Sequence, residues 1–185
     1  MDPTRIRAAS SAAIGVLVLT ASGCSSDEPA KKTYAVPESL CGVVVPSDVL
    51  EAVLPSADEV TTRASANTFG RKTCLVIADG NIVVTAESEW RAKDLPIVDV
   101  VLNTLPLDAE KDVNADGSFA HSKKGGVIKI NCASPAKSEY KKKQLFGSVI
   151  LKDGDWTEGD VRNLVTAYGK GVSESEECTG KGRTA

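Results

Sequence analysis

The chain has 185 residues, 42% of them hydrophobic and 25% charged, with 22 basic against 25 acidic side chains. One-domain length and ordinary charge exclude a collagenous or wholly disordered chain, and a net charge of −3 excludes a strongly basic nucleic-acid binder. Only 4% of the residues are aromatic, which argues against a large aromatic ligand cage, and the cysteine count of five is odd.

In chain order, Arg5 and Arg7 make a short basic start, and Ala12 to Ala21 is an apolar run. The small residues Ala21, Ser22 and Gly23 then precede Cys24. This is the pattern of an export signal. The run falls short of the roughly 20 apolar residues that a membrane-spanning helix needs. A signal-anchor, or a plain secretory signal cut at the same bond, is the alternative, and the latter would leave Cys24 an unpaired exported thiol. The stretch Leu19-Thr-Ala-Ser-Gly-Cys24-Ser-Ser resembles the lipobox of bacterial lipoproteins, with Ala21 where a branched aliphatic residue is usual. The resemblance implies that residues 1–23 are removed and that Cys24 becomes a diacylglyceryl-modified N-terminus. Two or more acyl chains hold a protein firmly to a bilayer. Loss of Arg5, Arg7 and Asp2 leaves the remaining chain one charge more acidic. Residues 24–37 read as the lipidated cysteine and a flexible polar tether, 38–180 as a single extracytoplasmic domain, and 181–185 as a disordered tail.

Cys41, Cys74, Cys132 and Cys178 form an even set, and export predicts two disulfides. Their wide spacing argues against a zinc site, which wants close cysteine pairs. Three connectivities are open; Cys41–Cys74 with Cys132–Cys178 is favoured because each pair closes within one half of the chain. Pro46-Ser47-Asp48 opens a helix with Asp48 and Glu51 as a capping pair, an apolar face of Val49, Leu50, Val53 and Leu54, and a stop at Pro55. Residues 59–66 predict a strand. Asp79-Gly80 between β-branched runs at 72–78 and 81–90 predicts a hairpin. Ile97, Val100 and Val101 give helical spacing within 95–105.

A second hairpin is predicted from 117–121 and 127–132, with Ser122-Lys-Lys-Gly-Gly126 as its loop, and a further strand over 145–152. Thr157-Glu-Gly-Asp160 is a capping box ahead of the stripe Val161, Leu164, Val165 and Tyr168, and Gly169 and Gly171 are expected to stop that helix. Each half then carries a helix, about three strands and two cysteines. Strand runs with an early and a late helix predict an α+β fold with a mainly antiparallel sheet, stapled by two disulfides.

Candidate chemistry is sparse. Asp112, Asn114, Asp116 and Gly117 match the first half of a calcium loop, but the twelfth position, which should supply a bidentate glutamate, is Lys123. Asp, Asn and Gly also suit an ordinary turn, which is the preferred reading. His121, the sole histidine, is expected at a surface or half-buried strand position, without an orienting partner for general-base work. Asp153, Asp155, Glu158 and Asp160 could pair as in glycosidases. They read more economically as a turn followed by acids that a helix N-terminus favours. Lys141-Lys-Lys143, beside Lys137 and Glu139, reads as a solvated loop, with contact to anionic polymer or lipid headgroups as the lesser alternative. Trp90 and Trp156 read as packing.

The segment Tyr34-Ala-Val-Pro-Glu-Ser-Leu-Cys41-Gly, with Leu54-Pro55, Arg71-Lys-Thr-Cys74-Leu-Val, Glu89-Trp90 and the late Leu164-Val165-Thr166-Ala167-Tyr168 before Cys178, resembles small exported lipoproteins of actinobacteria, Streptomyces in particular. The lipoproteins it resembles are those near the DUF3558-type group. The resemblance spans most of 34–178, rests on cysteines, turns and core residues, and implies location and fold without an activity. The expectation is therefore a non-enzymatic, membrane-anchored envelope module without cofactor or bound metal. Its partners would be an envelope protein or a small ligand, and not nucleic acid. A small envelope enzyme using carboxylates and a lipid or small-ligand carrier are the alternatives.

Overall fold

In the computed structural model, which describes residues 32–66, 70–104, 113–152 and 154–180, the chain docks onto the domain earlier than expected. Lys32 Nζ donates to the Glu51 carbonyl, Thr33 Oγ1 to Ala57 O (3.0 Å) and Tyr34 OH to Pro55 O (2.7 Å). Residues 32–37 therefore belong to the domain and not to a free tether. Cys24 and residues 181–185 lie outside the described residues.

The strands β1 (Ser39–Leu40) and β2 (Val43–Val44) form a small hairpin with Cys41 and Gly42 at its tip. Both tip residues have positive φ, 51° and 91°. Glycine takes that conformation freely; Cys41 does not, and its disulfide to Cys74, with Cα atoms 5.6 Å apart, holds it there. Helix α1 (Ser47–Val53) buries Leu50 and Val53 and ends at Leu54, whose extended backbone suits the residue before Pro55. The Asp48–Glu51 capping pair does not form. Pro46 occupies the cap position, and no side chain bonds the first-turn amides.

Strands β3 (Val60–Ala66), β4 (Arg71–Ala78) and β5 (Asn81–Ala92) follow as a meander. Asp79 and Gly80 turn the β4–β5 hairpin at φ 46° and 80°, the twist that antiparallel strands require. The Asp79 carboxylate also accepts the amides of Asp58 and Glu59 at 3.0 Å, tying the turn to the start of β3. Helix α2 (Ile97–Thr104) lies within the expected span. Strands β6 (Phe119–Ser122) and β7 (Gly125–Ile130) make the second hairpin, but its turn is only Lys123-Lys124. Gly125 and Gly126 are strand residues. A Cβ on Gly126 would stand 2.8 Å from Ala120 O and 2.9 Å from Val165 Cγ2, so this glycine serves close helix-on-sheet packing, not a turn. Cys132 falls beyond the strand.

A 3-10 turn (Ser138–Lys142) leads into β8 (Lys143–Leu151), then α3 (Glu158–Ser173) and a short α4 (Glu176–Thr179). The capping box forms: Thr157 Oγ1 accepts from Asp160 N and the Asp160 carboxylate accepts from Thr157 N. Helix α3 does not stop at Gly169 and Gly171 but runs through both to Ser173. A Cβ on Gly169 would lie 2.9 Å from Ile128 Cγ2. One on Gly171 would lie 2.8 Å from Val43 Cγ1 and would strike the Val44 carbonyl. Both glycines let the helix approach strands closely, and burial of its apolar stripe outweighs their low helix propensity of about 1 kcal/mol each.

The six strands form one antiparallel sheet in the order β3-β4-β5-β8-β7-β6, two meanders joined through β5 and β8. On one face Val76, Val84, Ala86, Trp90, Leu145 and Val149 are buried in the same core as side chains of α1 and α3. On the other, Ile97, Val100 and Val101 of α2 pack with Ala120, Val127 and Phe146, on the β6-β7-β8 half. The β4-β5 part of that second face carries polar ladders instead, Arg71 with Glu89 (3.1 Å) and Thr73 with Glu87 (2.9 Å), the alternation of a sheet with one wet side. The expected α+β antiparallel architecture and two disulfides are present, the second joining Cys132 to Cys178 with Cα atoms 4.6 Å apart.

Candidate functional site

Strand β3 is an edge strand, exposed along six of its seven positions. Its residues Ala64 and Ala66, opposite Cys74 and Lys72 of β4, face the helical side of the sheet but remain exposed. A groove of about 590 Å³ results, floored by the sheet and walled by the β1–β2 tip on one side and the α3–α4 junction on the other. Small side chains at Gly42, Ala64 and Ala66 leave it wide.

At its deep end lies a polar cluster that local sequence did not announce. Glu177, only 8% exposed, accepts hydrogen bonds from Trp90 Nε1 (2.8 Å) and Ser88 Oγ (3.3 Å) and an ion pair from Lys72 Nζ (3.0 Å). A buried carboxylate needs such partners, because desolvation of an isolated charge would cost far more than one hydrogen bond returns. Beside it Tyr168, at the end of the α3 stripe, is held well above the ordinary tyrosine value of 10.0. Burial is the main cause, the Glu177 and Glu87 charges add to it, and the Ser88 hydroxyl acts in the opposite direction.

Glu177 is placed by tertiary restraints. Its helix is too short to hold itself. The Cys132–Cys178 disulfide and the bonds Ser134 N to Cys178 O (3.0 Å) and Ala136 N to Glu177 O (3.1 Å) hold α4 over β5. The first disulfide lines the groove directly, Cys41 from the hairpin tip and Cys74 from the floor. The four cysteines thus act together at this site, one bridge in its wall and one behind its acid.

The remaining sequence candidates do not converge. Asn114 Oδ1 accepts the amides of Ser118 and Phe119, and Asp116 Oδ1 accepts the Ser118 amide, each at 2.9 Å, so these oxygens close a turn. Hydrogen bonds from Ser118 hold the Asp116 carboxyl below its ordinary range. Asp112 lies outside the described residues, as does Asp153. Among the described residues no group of three or more His, Cys, Asp or Glu side chains could hold a metal ion. His121 is buried, at 6% exposure, and not a surface or half-buried residue as expected. Arg162 contacts its Nε2 at 3.2 Å, and its Nδ1 has no partner. The reason is its place on the α3 side of β6, opposite Gly126.

Asp155 and Glu158 are exposed, while Asp160 is engaged in the cap, its carboxyl held low by the Thr157 amide and then its hydroxyl. Trp90 stacks on Tyr140, with centroids 4.8 Å apart, and Trp156 donates to the Lys123 carbonyl. Lys141, Lys142 and Lys143 are exposed. No described helix is long and apolar enough to cross a membrane. Comparisons of the chain with family models, with curated proteins and with solved structures find no match.

Proposed function

We propose that the chain is a lipid-anchored extracytoplasmic binding module that seats a small ligand in the groove between β3, the β1–β2 tip and α4. The observation that carries this reading is the groove's construction. A volume of about 590 Å³ falls within the range of small-molecule sites, and both disulfides brace its walls before any ligand arrives. Bracing of this kind lowers the ordering cost of binding. Leu40, Val43, Ala64 and Ala66 offer an apolar bed, and Lys72 and Glu177 offer a paired charge at one end, which suits an amphipathic guest with a polar head. The export signal and the Cys24 lipobox supply the location, and with residues 32–34 docked, only 24–31 separate the anchor from the domain.

Two measurements test this. Molecules co-purifying with the lipidated protein from envelope membranes, read by mass spectrometry, should include a species that Ala66→Trp loses while keeping its circular dichroism spectrum; equal recovery would remove the groove from consideration. Palmitate labelling should be abolished by Cys24→Ala, and undiminished labelling would refute the anchor.

A further inference from the structure

Trp90, which donates to Glu177, also lines a second cavity, of about 540 Å³, at the end of the sheet where β5 and β8 meet the loop after β7. Lys93, Lys141 and Lys143 line it. None of the three forms a salt bridge with any described carboxylate, and no Asp or Glu is among the described residues that line the cavity, although Asp94 and Glu139 are neighbours in sequence. In a chain of net charge −3, three ammonium groups around one cavity with no carboxylate among its described lining are a local reversal of the protein's charge.

The frame beneath them is held by packing, hydrogen bonds and a disulfide. Tyr140, buried, stacks on Trp90 at an interplanar angle of 9° and pins the 3-10 turn that presents Lys141. Lys143 Nζ sits 5.5 Å from the Tyr140 ring centroid, which positions its charge without neutralising it. The loop opposite is fixed to α4 by the Cys132–Cys178 bridge and by the Ser134 amide bond to Cys178 O. The Gln144 amide donates to Ile130 O and Leu145 O at 2.8 and 3.0 Å, so this wall is also set.

We infer that this cavity is an anion site for a phosphate-bearing ligand. Lysine ammonium groups act as point charges and suit the multiply charged, tetrahedral phosphate. A planar carboxylate would instead call for the fork of an arginine. The neutral polar groups of Asn131 and Ser134 stand ready for hydroxyls on the phosphate's carrier. The carrier is either a lipid headgroup or a soluble phosphate chain; the recognised chemistry is the same.

The test uses residues 24–185 with Cys24→Ala, the chain as it stands once the signal is removed, so that neither the apolar signal nor an acyl anchor dominates binding. One arm titrates inorganic polyphosphate by calorimetry. The other measures retention on phosphatidylglycerol–phosphatidylcholine vesicles against phosphatidylcholine alone. Binding to at least one phosphate probe is expected, weakening as ionic strength rises. It should fall about tenfold or more in the Lys93→Ala, Lys141→Ala, Lys143→Ala variant and be retained when all three become arginine. The pair Lys123→Ala, Lys124→Ala, at the exposed β6–β7 turn, should leave it unchanged. Polyphosphate binding without vesicle retention assigns a soluble source, and the reverse assigns a headgroup. Absence of binding to both probes, or equal losses in the triple and control variants at unchanged thermal midpoints, would overturn the inference. Either result leaves the groove reading intact, since none of these lysines lines it.

Discussion

Glu177 makes three contacts of unequal value. Lys72 keeps 59% of its side chain exposed, so the ion pair is largely solvent-screened and contributes little, whereas the Trp90 indole N–H has no water to fall back on. Glu177→Ala should therefore lower stability by about 2–3 kcal/mol, and Lys72→Ala by less than about 1 kcal/mol. Glu177→Gln keeps an acceptor for Trp90 and should retain most of the difference. Urea midpoints of the three variants check the ranking; a Lys72→Ala loss as large as that of Glu177→Ala would reverse it. Tyr168 gives a second prediction at this scale. Its folded-state value is raised, so its contribution is fully present below the ordinary 10.0 and is lost as pH rises above it. Stability should decline between about pH 10 and about pH 11 in the wild type and decline less in Tyr168→Phe, as followed by denaturant midpoints across that range.

Among the elements, α3 differs most from what its local sequence predicts. Its start is visible in four consecutive residues, because a capping box involves only neighbours. Its end is not, because Gly169 and Gly171 are stop signals by local pattern and contact points in three dimensions. The distinction is measurable. Gly171→Ala should destabilise by about 1–3 kcal/mol through its clash with β2, despite the better helix propensity of alanine. Gly159→Ala, exposed in the first turn and 3.4 Å from Thr157 Oγ1, should be neutral or stabilising. Thermal midpoints of the two variants should move in opposite directions or at least diverge by several degrees. The β6–β7 turn repeats the lesson. Local pattern assigns its glycines to the loop, yet Gly126 sits under Val165, and the two lysines make the turn.

At the scale of the molecule, each disulfide closes a loop worth about 3–4 kcal/mol in the chain-entropy account. They differ in what they hold. Cys41–Cys74 ties the β1–β2 tip to the floor of the groove, and Cys132–Cys178 holds α4, and with it Glu177, against Trp90. Removing Cys132 and Cys178 together, as alanines, should lower stability by about 3–4 kcal/mol. It should also make a further Glu177→Ala change nearly silent, since the carboxylate is then no longer held in place. Full additivity in that cycle would mean that α4 keeps its position without the bridge. The same bridge braces the lysine-lined cavity, so one covalent link serves both sites.

Whatever depends on near neighbours is legible in the residues themselves. The Asp79-Gly80 hairpin, the Thr157–Asp160 cap, the buried stripe from Val161 to Tyr168 and the antiparallel α+β class all follow from turn chemistry and side-chain period. Loop closure favoured the cysteine pairing, and the fold contains it. Tertiary structure alone decided the role of groups that meet across the chain. Ser88 and Trp90 reach Glu177 over separations of 89 and 87 residues, and Lys93 reaches one cavity with Lys141 and Lys143 only because β5 pairs with β8. No local pattern encodes such a meeting. A glycine, a glutamate or a lysine carries the same propensity wherever it stands, and its function is set by which distant backbone the sheet brings to within a few ångströms.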